Sequence, residues 1–447
     1  MTLQPRKDGA AGSPQAHSRP RIGVALTRDR FVRGEDEWFP LADTIWSAFT
    51  HVPVDDWKRY VSLRATQGFT ALNISILPIV HDLSATDRVL PQPFDGFWDG
   101  APRPGPLRRD YIEHARTMLD IAAANDLTPN LVVLWCNYVP ETWASTKDRR
   151  YVISPESRRD YVASVVEAFD PYSPMYAVAG DADLVSVASR EAWTDAQRQL
   201  RTLVPDAVTT IHKQDTAVLP DDLVYDAGLG YYSYQSGHRL ECQHFAWQYA
   251  EHYLGAAVRR PIVNLEPCYE GHGFGFRYGR FDAAAVRRAS WESLLAGASA
   301  GLGYGAHGIW QWHRRGAAFN HAEFSAMPFD RWTAAAFRGA DDVAFAARFM
   351  REQRLVGAQP RQDLLRTPSD GVRAAVGDDP CRVAIYAPYA SDVAVAPGVR
   401  ILNVAAWDLE TRQQGEAEVI DHTDGPILRQ PEWNADTLYL LTIAVSP

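Results

Sequence analysis

The sequence predicts an α/β fold, a (β/α)8 TIM barrel followed by a smaller C-terminal all-β sandwich domain. Between about residues 35 and 345, short apolar segments alternate with longer amphipathic ones, as successive βα units require. Eight such units fit roughly the length of a TIM barrel with insertions. After about residue 352 the helical patterns stop, and only strand-like segments follow.

The eight barrel strands are predicted from short runs of apolar residues, which are typical of buried parallel strands. In chain order they are Trp38–Ala42, Phe69–Ser75, Thr128–Leu134, Met175–Ala179, Val208–His212, Ala227–Tyr232, Pro261–Leu265 and Gly308–Trp312. A doubly wound open sheet is the alternative fold. It normally has a glycine-rich phosphate loop after the first strand, and LADTIW is not such a loop.

The intervening helices show apolar residues at helical spacing. RRDYIEHARTMLDIAAAN places Tyr111, Ala115 and Met118 on one face. SPESRRDYVASVVEAF opens with Ser154 as the N-cap, followed by a proline at the first helical position. FDAAAVRRASWESLLAGASAG has its N-cap at Asp282 and ends in glycines.

The remaining segments set the domain boundaries. Residues 1–20 are predicted to be a disordered tail, because they are rich in Pro, Gly, Ser and Ala. Residues 21–350 would form the catalytic barrel, with 81–107 as an extended loop over its mouth. Residues 355–447, which include VRAAVGD, CRVAIYAPY, VRILNVAAWDLETRQ and TLYLLTIAV, would form the β-sandwich. We expect this sandwich to brace the barrel, with sugar binding as the alternative.

Composition excludes several classes of function. The net charge of −10 and the absence of a basic cluster argue against nucleic acid as the partner. The four cysteines and thirteen histidines show no metal-ligand spacing, so we expect neither a metal nor another cofactor. No apolar run is long enough to span a membrane, and the N-terminus has no signal-peptide pattern. A cytoplasmic location is therefore expected.

Polar and aromatic residues gather where the predicted strands end, which is where TIM-barrel active sites lie. Acids, amides and rings together suit a sugar, whose apolar face can lie on an aromatic ring. The candidate substrate-binding residues are Asp43, Trp46, Asn73, Trp135, Asn137, His212, Tyr232, Gln235, His238, Tyr269, Trp310 and Trp312. Because side chains alternate along a strand, at most one of Trp310 and Trp312 should face the site.

Two carboxylates are the candidate catalytic pair. Asp181 follows the apolar run MYAVAG, and Glu266 follows PIVNL. An acid that ends a buried strand is costly unless it is paired or used in catalysis, so a helix cap or an ion pair is the competing interpretation. Strands four and seven lie on opposite sides of a barrel, so the two acids can face each other as a retaining glycosidase requires. We assign Asp181 as acid/base and Glu266 as nucleophile, with Glu270 as the rival acid.

Six segments resemble the apiosidase-like glycoside hydrolase family, in order through nearly all of residues 35–315. They are GEDEWFPLADTIW, QGFTALNISILP, MYAVAGDAD, YYSYQSGH, PIVNLEPCYEG and GYGAHGIWQW. The resemblance implies a retaining barrel enzyme with a following β-sandwich, with Asp181 as acid/base and Glu266 as nucleophile. Ala179 stands where the family more often has glycine, and LADT replaces its frequent LGDT. Neither change removes a reacting group.

The function expected from the two acids is retaining hydrolysis of a carbohydrate. The resemblance points to an exo-acting enzyme on a furanoside such as an apioside. Arabinofuranosidase or pyranosidase activity, a non-catalytic sugar-binding barrel and a metal-dependent hydrolase are the alternatives. GASAG matches a serine-hydrolase elbow but should end a helix before a strand, the wrong context. GYGAHG matches a dinucleotide motif but should precede the last strand, also the wrong context.

Overall fold

The polypeptide begins with a small antiparallel sheet that closes one end of a barrel. The structure, a computed structural model, describes residues 19–84, 90–366, 369 and 371–444. Its first strands are β1 (Ile22–Val24), β2 (Phe31–Arg33) and β3 (Asp36–Trp38). Phe31 and Trp38 pack with residues from the amino-terminal ends of the barrel strands, and the Phe31 ring meets Tyr231 edge to face at 5.2 Å. This sheet therefore seals the barrel opposite its carboxyl-terminal ends.

Eight parallel strands form the barrel, as the sequence predicted. They are β4 (Leu41–Thr44), β5 (Ala71–Ser75), β6 (Thr128–Trp135), β7 (Met175–Ala182), β8 (Thr209–Lys213), β9 (Tyr232–Gln235), β10 (Ile262–Glu266) and β11 (Gly301–Tyr304). Neighbours follow chain order, and β4 pairs with β11. The end strands β8 and β9 adjoin through the hydrogen bond from Gly230 N to Thr209 O, at 2.8 Å.

Helices surround this sheet and follow the predicted pattern. They are α1 (Ala48–His51), α2 (Val54–Gln67), α3 (Arg109–Ala124), α4 (Pro155–Phe169), α5 (Val187–Leu203), α6 (Asp221–Val224), α7 (Phe245–Leu254), α8 (Ala283–Leu295), α9 (Ala322–Ser325), α10 (Arg331–Ala335) and α11 (Gly339–Glu352). Ser154 caps α4 by accepting from Ser157 N, and Asp282 caps α8 by accepting from Ala285 N. Both predicted caps are confirmed.

Three predicted strands were misplaced. The last barrel strand is β11, whereas the predicted Gly308–Trp312 forms turns after it. The predicted sixth strand, Ala227–Tyr232, lies mostly before β9, and Trp38 belongs to the sealing sheet. GASAG does lie between α8 and β11, as expected, but GYGAHG starts within β11 and does not precede it. β11 was not predicted because its sequence, GLGY, is rich in glycine and has no β-branched residue.

The C-terminal strands form two sheets around a separate apolar core, consistent with a β-sandwich. They are β12 (Gln359–Pro360), β13 (Arg373–Val376), β14 (Arg382–Ala387), β15 (Val393–Ala394), β16 (Ile401–Asp408), β17 (Gln413–Gly415), β18 (Glu418–Ile420), β19 (Ile427–Arg429) and β20 (Thr437–Ile443). Each of the four segments singled out in the sequence contributes a strand. We propose that the domain boundary lies between α11 and β12.

The sandwich packs on the barrel helices through a buried ion network. Arg287 of α8 binds Asp436, with its Nη2 2.6 Å from Oδ1, and Asp342 of α11, at 2.9 Å. Trp291 stacks on Tyr386 of β14 with ring centroids 6.4 Å apart. These contacts fit the expected bracing role.

Two further expectations concern the N-terminal tail with the long loop, and membrane-spanning helices. Apart from its last two residues, the tail predicted for 1–20 lies outside the described residues, as do 85–89 of the predicted long loop. None of the helices described here has the length and apolar character that crossing a bilayer demands.

Candidate active site

A cavity of about 310 Å³ opens at the carboxyl-terminal ends of the barrel strands. This volume lies near the lower limit of small-molecule sites, roughly 300 Å³. The predicted site residues that line it are Trp46, Trp135, Asp181, Gln235, His238, Glu266, Tyr269 and Trp310. The fold therefore brings both candidate catalytic acids into one cavity, together with amide, imidazole and aromatic groups.

Glu266, the last residue of β10, is held between two histidines. His212 Nε2 lies 3.0 Å from Oε2, and His238 Nε2 lies 2.8 Å from Oε1. An ionised carboxylate has no proton to give, so both imidazoles donate. Burial alone would raise the pKa of Glu266, but the hydrogen bonds from the two imidazoles, and the positive charge that each carries when protonated, lower it to about 2. Glu266 is thus an anion whose two oxygens are fixed.

The histidine tautomers follow from their other contacts. Tyr269 N donates to His238 Nδ1 at 3.3 Å, so the proton of the neutral ring is on Nε2. His212 Nδ1 is buried and has no hydrogen-bond partner among the described residues. A proton on that nitrogen would be unsatisfied, so the proton of His212 is also on Nε2. Both rings therefore present an N–H to Glu266.

Asp181 lies near the end of β7 in a left-handed backbone conformation, with φ +50°. The preceding Gly180 allows the Trp135 ring to approach, because a Cβ there would lie 2.3 Å from that ring. Gln235 Nε2 donates to Asp181 Oδ1 at 3.1 Å and to Lys213 O at 2.9 Å. Burial and the nearby Glu266 charge raise the pKa of Asp181 to about 6. Asp181 therefore holds a proton more readily than an ordinary aspartate.

Aromatic rings form the floor beside Glu266. Trp46 Nε1 donates to Tyr269 Oη at 3.1 Å, and the Trp46 ring lies 5.2 Å from those of Trp135 and His212. Burial, and then the Glu266 charge, raise the pKa of Tyr269 well above its usual value. The Tyr269 hydroxyl thus stays protonated beside Glu266.

Several residues expected to bind substrate do not line the cavity. Asp43 is buried and accepts hydrogen bonds from Tyr60 and Arg64 of α2, so its carboxylate is paired inside the barrel wall. Asn73 is buried in a hydrogen-bond chain with Thr44 and Asn130. Neither residue lines the cavity, because carboxylates and amides inside a barrel also need polar partners of their own.

Four more predicted residues lie away from the cavity surface. Tyr232 is the first residue of β9 and not its last, and its ring stacks on that of Tyr253 with the centroids 4.8 Å apart. Asn137 is buried in the turn after β6, and Trp312 packs on Tyr60 at 5.4 Å. His212 does not line the cavity itself, but it donates to Glu266, which does. Trp310 alone of the tryptophan pair lines the cavity, as expected, although both lie in a turn.

The rival acid Glu270 also faces away from the cavity. Its Oε2 accepts from Tyr304 Oη at 2.9 Å and from Gly339 N, the first residue of α11, at 2.8 Å. Burial raises its pKa to about 7. This carboxyl group joins β11 to a helix N-terminus, which explains its position without catalysis.

Residues from loops and from the short helix α9 complete the cavity, and the sequence did not indicate them. They are Ile79, His81, Trp143, Lys147, Gln214, Asp215, Arg239, His272, Phe276, His321, Phe324 and Ser325. Most of these loop residues lie several positions beyond a strand end, where neither spacing nor periodicity marks a residue as part of a site. The histidine and aromatic content of these loops is the one signal that could have found them.

The residues present do not indicate a metal centre. Within the part of the chain that the structure describes, no three His, Cys, Asp or Glu side chains are grouped to hold an ion. The hydrogen-bond donors around Glu266 instead suit an anionic carboxylate.

Comparisons with known proteins agree with this architecture. One solved structure, described as a glycoside hydrolase, superposes with a TM-score of 0.76 at 15% identity, covering 96% of this chain and 98% of that one. A family 5 glycoside hydrolase from Bacteroides vulgatus ATCC 8482 gives 0.77 at 17% identity, covering 94% and 93%. At such identities the likeness shows the fold alone. A search of curated proteins finds no match.

The sequence itself carries the family assignment. The profile of the apiosidase-like catalytic domain matches residues 27–356, which is most of the chain and includes the whole barrel. The expected substrate class is accordingly a carbohydrate. The chain belongs to the apiosidase-like family of glycoside hydrolases.

Proposed function

We propose that this glycoside hydrolase cleaves its substrate by double displacement with retention, using Glu266 as nucleophile and Asp181 as acid/base. The observation that supports this most is the opposite shift of two acids in one cavity. The pKa of Glu266 falls to about 2, and that of Asp181 rises to about 6. Two carboxyl groups with different protonation states are what this reaction needs.

In the first step, a Glu266 oxygen attacks the anomeric carbon while the bond to the leaving oxygen breaks. Asp181 gives its proton to that oxygen, and a glycosyl ester forms on Glu266. In the second step, Asp181 accepts a proton from water, the water oxygen attacks the same carbon, and the ester bond breaks. Glu266 returns as carboxylate and Asp181 as acid, so atoms and charge balance over the cycle.

The change of role at Asp181 follows from the electrostatics of the cavity. The Glu266 charge is one cause of the raised pKa of Asp181. That charge disappears when Glu266 becomes an ester, so the pKa of Asp181 should fall in the intermediate. The same group can then act as base in the second step.

For the substrate, we propose a furanoside or another small terminal sugar, removed in exo fashion. The small volume of the cavity supports one terminal residue over an internal stretch of a polymer. The furanoside part of the proposal rests on membership in the apiosidase-like family.

A panel of aryl furanosides and pyranosides tests the proposal, with proton NMR following the anomeric configuration of the first product. We expect retention, with Asp181→Asn lowering kcat/KM for substrates with poor leaving groups by roughly 10²–10⁴-fold. Glu266→Gln should lose at least as much. Glu270→Gln is the matched control and should stay active. Turnover unchanged in Asp181→Asn or Glu266→Gln would reject the role of that residue.

A further inference from the structure

A rigid hairpin projects beside the mouth of the cavity, after β10. Gly271 N donates to Phe281 O at 2.7 Å, and Phe281 N donates to His272 O at 2.9 Å. Arg280 Nη1 also donates to Gly271 O at 2.7 Å. These bonds hold the base of the hairpin, which directs its tip towards the cavity mouth.

The tip carries a phenyl ring that the fold does not bury. The side chain of Phe276 is 81% exposed, yet it lines the cavity. It meets the ring of Phe324, another lining residue, edge to face at 5.2 Å. An apolar ring left in water contributes little to folding, whereas the same ring at a cavity mouth can bind an apolar group.

Two of the polar groups near Phe276 are paired with each other. Arg239 Nη2 lies 3.3 Å from Asp215 Oδ1. Gly275, next to Phe276, lies beside both walls of the mouth, since a Cβ there would be in van der Waals contact with Arg239 Cγ at 3.4 Å and with the Phe324 ring at 3.5 Å. A sugar can set only the apolar side of its ring against a phenyl group, whereas an aromatic ring is apolar on both faces and gains further from packing on another ring.

We propose that the leaving group of the preferred substrate is an aromatic aglycone whose ring lies on Phe276, an inference that rests on the proposed function. The aglycone would lie outside the enclosed part of the cavity, at the mouth formed by Phe276, Phe324 and Arg239. The terminal sugar would lie deeper, between Asp181 and Glu266. The substrate class is then aryl glycosides, in preference to oligosaccharides.

Two substrates with the same terminal sugar test this, one a 4-nitrophenyl glycoside and the other a disaccharide in which glucose is the leaving group. Phe276→Ala should raise KM for the aryl glycoside about tenfold, equivalent to about 1.4 kcal/mol, and change the disaccharide value less than twofold. Tyr278→Ala is the matched control, since Tyr278 is fully exposed on the same hairpin but does not line the cavity. It should alter neither value.

Each outcome decides a separate question. Unchanged KM for the aryl glycoside in Phe276→Ala would overturn the aglycone site, and so would a larger loss for the disaccharide. The phenyl thioglycoside of the same sugar resists hydrolysis, and calorimetry should show its binding weakened by the same factor. Wild-type protein that hydrolyses none of the panel would instead refute the proposed function.

Discussion

At the scale of single residues, the site depends on how the protein treats two acids of similar intrinsic strength. Glu266 accepts hydrogen bonds from two imidazoles, whereas Asp181 receives one amide hydrogen bond and feels the charge of Glu266. Hydrogen-bond donors stabilise the ionised form of an acid and lower its pKa, whereas a nearby negative charge destabilises that form and raises the pKa. The division of roles therefore comes from neighbours contributed by β8, by β9 and by the loop after β9.

The first prediction is the pH dependence of kcat/KM. Activity requires Glu266 ionised and Asp181 protonated, so the rate should fall as pH rises through about 6, the pKa of Asp181. The acidic limb should follow the pKa of Glu266, about 2. Initial rates on an unactivated glycoside across this range check it. A plateau that extends through pH 8 would contradict the assignment of Asp181.

The second prediction concerns the histidine beneath Glu266. His212→Phe keeps an aromatic ring but removes the donor to Oε2, so the pKa of Glu266 should rise and the acidic limb should move to higher pH. The alkaline limb should also move upward, because His212 lowers the pKa of Asp181. His252→Ala, on the exposed face of α7, is the control and should leave both limbs unchanged.

The sequence located the two candidate acids and much of the cavity lining, because residues at strand ends can be recognised from the apolar segments before them. Asp181, Glu266, Gln235 and His238 all follow or end apolar segments. It did not predict that Asp43 would pair with Arg64, since that contact depends on which face of β4 meets α2. Nor could it predict Phe276, whose place at the mouth depends on the path of a hairpin.

At the scale of elements, the strands of highest apolar content were predicted and the glycine-rich one was not. β11 has the sequence GLGY, and its glycines are there for close packing. A Cβ on Gly303 would lie 1.9 Å from the carbonyl oxygen of Leu265 in β10. A search for runs of apolar side chains cannot find a strand that is rich in glycine.

The third prediction follows from that contact. Gly303→Ala should destabilise the protein by roughly 1–3 kcal/mol, because backbone atoms of β10 cannot move aside as a flexible side chain would. Gly105→Ala is the matched control, since nothing lies within 4 Å of the added Cβ. Thermal unfolding compares the two variants. Equal Tm values would show that β10 and β11 pack less closely than described.

At the scale of the whole molecule, the barrel is closed at one end, open at the other and supported on one side. The β1–β3 sheet seals the amino-terminal end, so the cavity can open only at the carboxyl-terminal face. The sandwich rests on α8 and α11, the helices that follow β10 and β11, through the ion pairs Arg287–Asp436 and Arg412–Asp342. Its buried contacts are made away from the cavity, which favours a bracing role.

The fourth prediction tests that role. Asp436→Ala leaves the buried Arg287 guanidinium without its closest partner and should cost about 3–5 kcal/mol. Asp421→Ala, at an exposed position of the sandwich, should cost little. At temperatures where both variants are folded, their kcat/KM values should match that of the wild type. A loss of activity in folded Asp436→Ala would mean that the sandwich contributes to the site.

The most direct test of the central claim is to trap the glycosyl ester. A 2-deoxy-2-fluoro glycosyl fluoride of the sugar that is hydrolysed fastest should label the enzyme once, and mass spectrometry of its peptides should place that label on Glu266. A label on Glu270 or on Asp181 would contradict the account, as would an active enzyme that takes up no label and releases an inverted product.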